Sequence, residues 1–343
     1  MTKLFHAAAA VAVAVVAAYA VPEALAGPTL DAVRARGEVV CGVNTSLYGF
    51  STPDEKGRWT GLDVDVCRAV AAAVLGSADK ARFVPLSAQQ RFTALQSGEI
   101  DILPRNTTWT LTRDTANGLN FTMINFYDGQ GFLVPKSLGV KSAKELSGAT
   151  ICVQTGTTTE LNLADYFRAN DMPFRPVTIE KYEEVTQAFL AGRCDALTSD
   201  KSQLASIRAN DTPNPDDFAI LPETISKEPL TPSVRQGDDQ WFDIVQWVQF
   251  ATVEAEERGI TSKNVDEKLK SDDPNVKRML GVTPGMGAAL GLDEKWAYNA
   301  IKQVGNYGES YERNVGQGSK LKLDRGLNDL WTRGGLMYAP PIR

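Results

Sequence analysis

From residue 27 onward the apolar positions switch repeatedly between two spacings. Leu62, Val66, Ala69, Val70, Ala73 and Val74 recur at helical spacing, which predicts an amphipathic helix over 62–75 opened by Gly61. Before it, EVVCGV at 38–43 is a short β-branched run suited to a buried strand. A short helix over 29–36 precedes that strand. The series continues with a strand at 81–86, a helix at 89–96 stopped by Ser97 and Gly98, and a strand at 100–103. A second series has strands at 149–154, 174–179, 194–199 and 218–222, with helices at 158–169, 182–191 and 201–208 between them. Strands alternating with helices predict an α/β fold with mostly parallel sheets. From Asp238 the pattern becomes helical, at 238–258, 265–280 and 293–304, and Trp241, Trp247, Trp296 and Trp331 are expected to pack this tail onto a domain.

The two series predict two units. GQGFLVP at 129–135 and ETISKEPLTP at 223–232 are the candidate crossings, and two extended connections make a hinge. The expected division is 27–133 with 231–343 for the first unit, carrying the helical extension, and 134–230 for the second. Residues 1–26 form a targeting segment, with Lys3, an Ala/Val run at 7–20, and Ala24-Leu25-Ala26 before Gly27 as a cleavage signal. Export across a bacterial inner membrane, to the periplasm, is the expectation. No cysteine stands at the cleavage position, which argues against a lipid anchor.

Charge and composition narrow the chemistry. A net charge of −6 and the lack of a basic run argue against nucleic acid as a partner. The only histidine, His6, falls in the targeting segment, so imidazole-based catalysis and imidazole zinc sites are excluded after cleavage. Cys41, Cys67, Cys152 and Cys194 lack C-x-x-C spacing, and in an exported chain they are expected as disulfides. Four cysteines allow three connectivities; pairing Cys41 with Cys67 and Cys152 with Cys194 is expected, because a bridge between units would staple the hinge.

Three separated polar segments then stand out: RNTTWTLTR at 105–113, TGTTTE at 155–160 and GRCDALTSD at 192–200. An α-carboxylate is held well by a bidentate guanidinium and by the N–H groups of a helix N-terminus; an α-ammonium needs one buried carboxylate. Arg113, the turn before the helix at 158, and Asp200 supply one of each. Each also has an ordinary structural role: Thr157, Thr158 and Asp200 can cap helices, and Arg91 and Arg113 can make surface ion pairs.

At these motifs, and at GLDVDVCRAVAAAV, SGEIDIL, YDGQGF and RQGDDQWFDIV, the chain resembles the polar amino-acid class of bacterial extracellular solute-binding proteins. It looks most like the general L-amino-acid-binding and glutamate/glutamine/aspartate/asparagine-binding members, over essentially all of the chain after the targeting segment. The resemblance implies a two-lobed type II binding-protein fold that closes on a free L-amino acid and delivers it to an inner-membrane ABC permease, without cofactor or metal. It implies that Arg113 clamps the α-carboxylate with Thr108 and Asn106 nearby, and that Thr157 and Thr158 reach the same carboxylate from the second lobe. It further implies that Asp200 takes the α-ammonium, Arg91 a side-chain carboxylate, and Tyr48, beside Leu47, an aromatic contact. Two other readings use the same residues: a dehydratase or lyase built on Asp200, Glu160 and Arg113, and an amino-acid sensor subunit.

Overall fold

The computed structural model describes residues 27–343; the expected targeting segment lies outside the described residues. Helix α1 (Pro28–Arg36) leads into strand β1 (Val39–Val43), buried along its whole length. A two-strand ribbon, β2 (Thr52–Pro53) and β3 (Trp59–Thr60), precedes α2 (Leu62–Leu75). Gly76 ends α2 with φ 74°, the left-handed conformation that closes a helix most cheaply with glycine. Strand β4 (Ala81–Pro85) pairs parallel with β1, and α3 (Gln90–Ser97) follows. The stretch expected as a strand at 100–103 makes only single bridges, Ile102 to Cys41 and Leu103 to Ser233. Next come α4 (Leu111–Thr115), β5 (Leu119–Phe121) and β6 (Phe126–Asp128).

The second lobe is a sheet of β7 (Gln130–Pro135), β8 (Thr150–Gln154), β9 (Arg175–Ile179), β10 (Ala196–Asp200) and β11 (Phe218–Ile220), in the order β11-β7-β10-β8-β9. Helices α5 (Thr158–Ala169), α6 (Tyr182–Leu190) and α7 (Lys201–Asn210) connect its strands. The return path is β12 (Glu228–Leu230), antiparallel to β6, then β13 (Ser233–Arg235), antiparallel to β5. The segment 129–135, expected as a crossing, is therefore a sheet strand: β7 pairs with both β10 and β11. The chain passes out of the first lobe at β6 instead and returns at β12, inside the 223–232 stretch, and residues 130–133 sit in the second sheet.

The tail begins with α8 (Asp239–Glu257). The helix expected at 265–280 is two short helices, α9 (Val265–Lys268) and α10 (Pro274–Met279), because Pro274 cannot continue a helix but starts one well. Helices α11 (Met286–Leu290), α12 (Trp296–Val304) and α13 (Tyr307–Asn314) complete it. Trp241 and Trp296 are buried in a core shared with α1 and α2, so the tail is part of the first lobe's interior. Trp331 is not: it is half exposed and packs on Tyr338 at the surface. Cys41 bonds Cys67 and Cys152 bonds Cys194, one bridge within each lobe, as expected. No helix among the described residues is long and apolar enough to cross a membrane.

Candidate functional site

The first wall of the cleft is a cationic loop held rigid from behind. Asn106 takes φ 29°, a conformation that non-glycine residues seldom adopt. Its backbone N–H donates to Asp63 Oδ2 at 2.9 Å, and its side-chain oxygen accepts from Asn44 Nδ2 at 3.1 Å. Burial pushes Asp63 up to about 7, against the hydrogen bonds from Asn106 and Asn125. Arg105 donates from Nε to the Leu86 carbonyl at 2.7 Å, leaving its buried Nη2 unpaired. Arg113 donates from Nη1 to the Thr108 carbonyl at 2.9 Å, while Thr110 caps the short helix that carries it. Arg91, on α3, donates to Thr107 Oγ1 at 3.3 Å and keeps Nε unpaired. The Phe92 ring lies 4.8 Å from the Arg91 guanidinium carbon and 5.3 Å from that of Arg113, which spaces the two cations and favours both. Burial lowers all three arginines. Arg105 and Arg113 come to about 10, opposed by the Asp63 carboxylate for the first and by Glu228 and Asp200 for the second, so both stay charged at neutral pH. Arg91, where Arg113 and Arg105 add to burial, falls well below its ordinary value.

The second wall comes from two strand-to-helix junctions. Strand β8 turns through Thr155-Gly156-Thr157 into α5. Gly156 has φ 76°, and a Cβ there would stand 2.9 Å from Gln89 Cγ of the opposite lobe, so glycine fits on both counts. Thr157 is the N-cap, accepting from Glu160 N at 3.2 Å, and Glu160 in turn accepts from Gly156 N at 2.9 Å. The first-turn N–H groups at Thr158 and Thr159 have no partner within the helix. Strand β10 ends at Asp200, at the N-cap of α7, yet its carboxylate makes no capping bond. Asp200 is 5% exposed. Burial and then the Asp128 and Glu228 carboxylates push its pKa well up, opposed by Arg91 and Arg113 across the cleft.

These walls face one small cavity, lined by Arg91, Asn106, Thr108, Arg113, Thr157, Thr158 and Asp200. Seven of the eight residues expected from sequence thus meet at one place. Tyr48 does not. The bridge between Leu47 and Ser51 folds the loop tightly, turning Leu47 into the core and Tyr48 outward, 39% exposed, into a groove beside Arg313 and Lys320. Glu160 also lies outside the cavity, occupied in shaping the Gly156 turn, which removes one of the groups on which an enzymatic reading would rest.

Sequence reasoning missed Arg105, Gln154, Thr159, Ser199 and Gln203, all of which line the cavity. Arg105 opens the polar segment already singled out, and its place two residues after the buried Leu103 was the one available signal. Glu228, at the root of the cleft, was also missed; it is 1% exposed and accepts hydrogen bonds from four side chains. Its neighbours Lys227 and Pro229 give no hint of burial.

Chemically, the cavity sets guanidinium donors on one wall against helix-end amides and a buried carboxylate on the other. That is a receptacle for a small molecule carrying both a carboxylate and an ammonium group.

Comparison with known proteins agrees with this geometry. Residues 39–265 match the family described as bacterial extracellular solute-binding proteins, family 3. The chain is 58% identical to the general L-amino acid-binding periplasmic protein AapJ of Rhizobium johnstonii, over 99% of each chain. It is 56% identical to the glutamate/glutamine/aspartate/asparagine-binding protein BztA of Rhodobacter capsulatus, over 93% of this chain and 95% of that one. Among solved structures, a periplasmic binding protein from Brucella ovis with glutathione bound superposes with a TM-score of 0.90 at 56% identity, covering 92% of this chain and 99% of the other. With the fold, the two lobes and the polar cleft in agreement, the chain belongs to family 3 of the bacterial extracellular solute-binding proteins.

Proposed function

We propose that this chain is the substrate-binding component of an amino-acid ABC importer, a receptor that closes two lobes on one free L-amino acid in the periplasm and presents it to an inner-membrane permease. The observation that carries the reading is the opposition of Arg113 and Asp200 from different lobes within one buried cavity. Arg113 takes the α-carboxylate, with the amides of Thr158 and Thr159 completing its shell on closure. Asp200 takes the α-ammonium, and Thr157 holds the α5 N-terminus in position. Arg91 pairs with a side-chain carboxylate or amide oxygen, so polar and acidic amino acids bind best. The hinge is the β6–β12 pair, and closure follows from contacts that only the closed state makes. Energy for transport comes from the partner complex. The names of the most similar relatives support the amino-acid reading and a periplasmic location.

A thermal-shift screen with the common L-amino acids tests this. Ligand at about a hundred times its dissociation constant adds about 2.7 kcal/mol of stability. Recovery of unchanged ligand after denaturation supports a receptor; a chemically altered product supports an enzyme. The glutathione in the Brucella ovis relative favours a second ligand class, γ-glutamyl compounds, which present the same zwitterionic end. Glutathione and γ-glutamyl dipeptides belong in the screen, and a shift larger than that with glutamate makes them the preferred cargo.

A further inference from the structure

Glu228 is a buried carboxylate in the hinge strand β12, and none of the ligand roles proposed above uses it. Its Oε2 accepts from Thr108 Oγ1 of the first lobe at 2.5 Å and from Thr158 Oγ1 of the second lobe at 2.9 Å. The two hydroxyl oxygens are themselves 3.3 Å apart. Its Oε1 accepts from Asn162 Nδ2 at 2.8 Å, one turn further along α5, and from Ser226 Oγ at 2.5 Å. One hinge carboxylate therefore grips both lobes at the closed end of the cleft, through donors directed at an ion, which are stronger than neutral pairs. No arginine or lysine pairs with it among the described residues, so these four donors carry its solvation.

We infer that Glu228 is a positioning residue that latches the two lobes in the closed form and sets their open–closed balance. The inference rests on the receptor reading, because it matters only if Thr108 and Thr158 flank the ligand. In the closed form all four donors satisfy the carboxylate. When the lobes part, the grip on Thr108 and the grip on Thr158 with Asn162 cannot both persist, and water replaces the lost partner. The protein thus contributes part of the closure energy itself, independent of which side chain the ligand carries. A latch of this kind raises affinity for every ligand by a common factor, whereas Arg91 discriminates among them.

The test is calorimetric titration of the full chain without its targeting segment, with L-glutamate, L-glutamine and L-alanine, in wild type, Glu228→Gln, Asn162→Ala and the double variant. Small-angle scattering of the ligand-free proteins is measured alongside. Glu228→Gln keeps the shape but replaces one acceptor oxygen by a donor, and should weaken all three ligands by the same factor, about ten- to thirtyfold. The ligand-free variant should have a larger radius of gyration than wild type. Asn162 does not line the cavity, so Asn162→Ala alone should weaken binding severalfold, and in the double variant it should add much less than it does alone. A Glu228→Gln protein with wild-type affinities and scattering overturns the latch. So does a loss confined to one ligand, or full additivity with Asn162→Ala. If wild type itself binds none of the three, the receptor reading fails first, which is a distinct result.

Discussion

The two walls of the cleft reach the same end by different means. The first-lobe wall carries three guanidinium groups already buried and braced, Arg105 by the Leu86 carbonyl, Arg113 by the Thr108 carbonyl and Arg91 by Thr107. The second-lobe wall carries one carboxylate and the open end of a helix, both set at the ends of parallel strands. Arginines keep their charge when partly desolvated, so a cationic wall can be prebuilt. A carboxylate cannot be buried so cheaply: Asp200 is driven toward its neutral form until a cation arrives. The first wall is thus braced before ligand enters, whereas the second holds a carboxylate whose ionised form a bound cation favours.

Removing the common anchors should break this comparison most severely. Arg113→Ala and Asp200→Asn should each lower affinity for every amino acid more than a hundredfold, since an unpaired buried charge costs about 3–5 kcal/mol. Calorimetry on the folded variants checks it, and an affinity near wild type in either one removes that residue from the site. Arg91→Ala should act on fewer ligands. It should weaken glutamate and aspartate about tenfold or more while leaving alanine and leucine within a few-fold, because only the former lose a charge partner. A uniform loss would assign Arg91 to the α-carboxylate or to the fold.

A proton measures the difference between the walls more finely. In the closed cleft burial and the Asp128 and Glu228 carboxylates push Asp200 up, and a bound ammonium favours its ionised form, so the carboxyl should give up a proton on binding wherever it was protonated beforehand. Affinity should therefore rise with pH up to the free-protein pKa and level off above it. Titrations in buffers of different ionisation heat should report proton release below that point. Asp128 and Glu228 face Asp200, and Arg91 and Arg113 oppose them, so Asp200→Asn should abolish most of the slope. Proton uptake on binding would contradict the assignment.

The smallest effect should fall on the second wall's helix. Thr157→Ala removes the N-cap of α5 and should cost about 1 kcal/mol of stability, read as a lower melting temperature. Binding should weaken only severalfold, because the first-turn amides remain. Thr157→Ser should restore both.

The parts legible in the sequence are those governed by local rules. Helix α2 was placed to the residue by its apolar face and Gly61, and Thr157 and Thr158 by their position before a helical run. The one-bridge-per-lobe pairing of cysteines followed from the need to leave a hinge free. What was illegible depends on long-range packing. The strand β7 and the connector β6 are both short apolar runs, and only the sheet partners of β7 distinguish a core strand from a crossing. Tyr48 was misplaced because a bridge of a few residues decides which neighbour faces the cleft. Nothing in the local sequence marks Arg105 or Glu228 as buried; Arg105 is covered by packing within the first lobe and Glu228 by donors from both lobes.

The central claim is that the cleft reads both ends of a zwitterion, one from each wall. Calorimetric titration of wild type with L-glutamate, with glutarate, which lacks the α-amine, and with isoglutamine, whose α-carboxyl is an amide, tests it directly. The account predicts one glutamate bound per chain and a loss of more than about a hundredfold for each analogue, since each leaves Asp200 or Arg113 facing no opposite charge. Binding of either analogue as tightly as glutamate would contradict it.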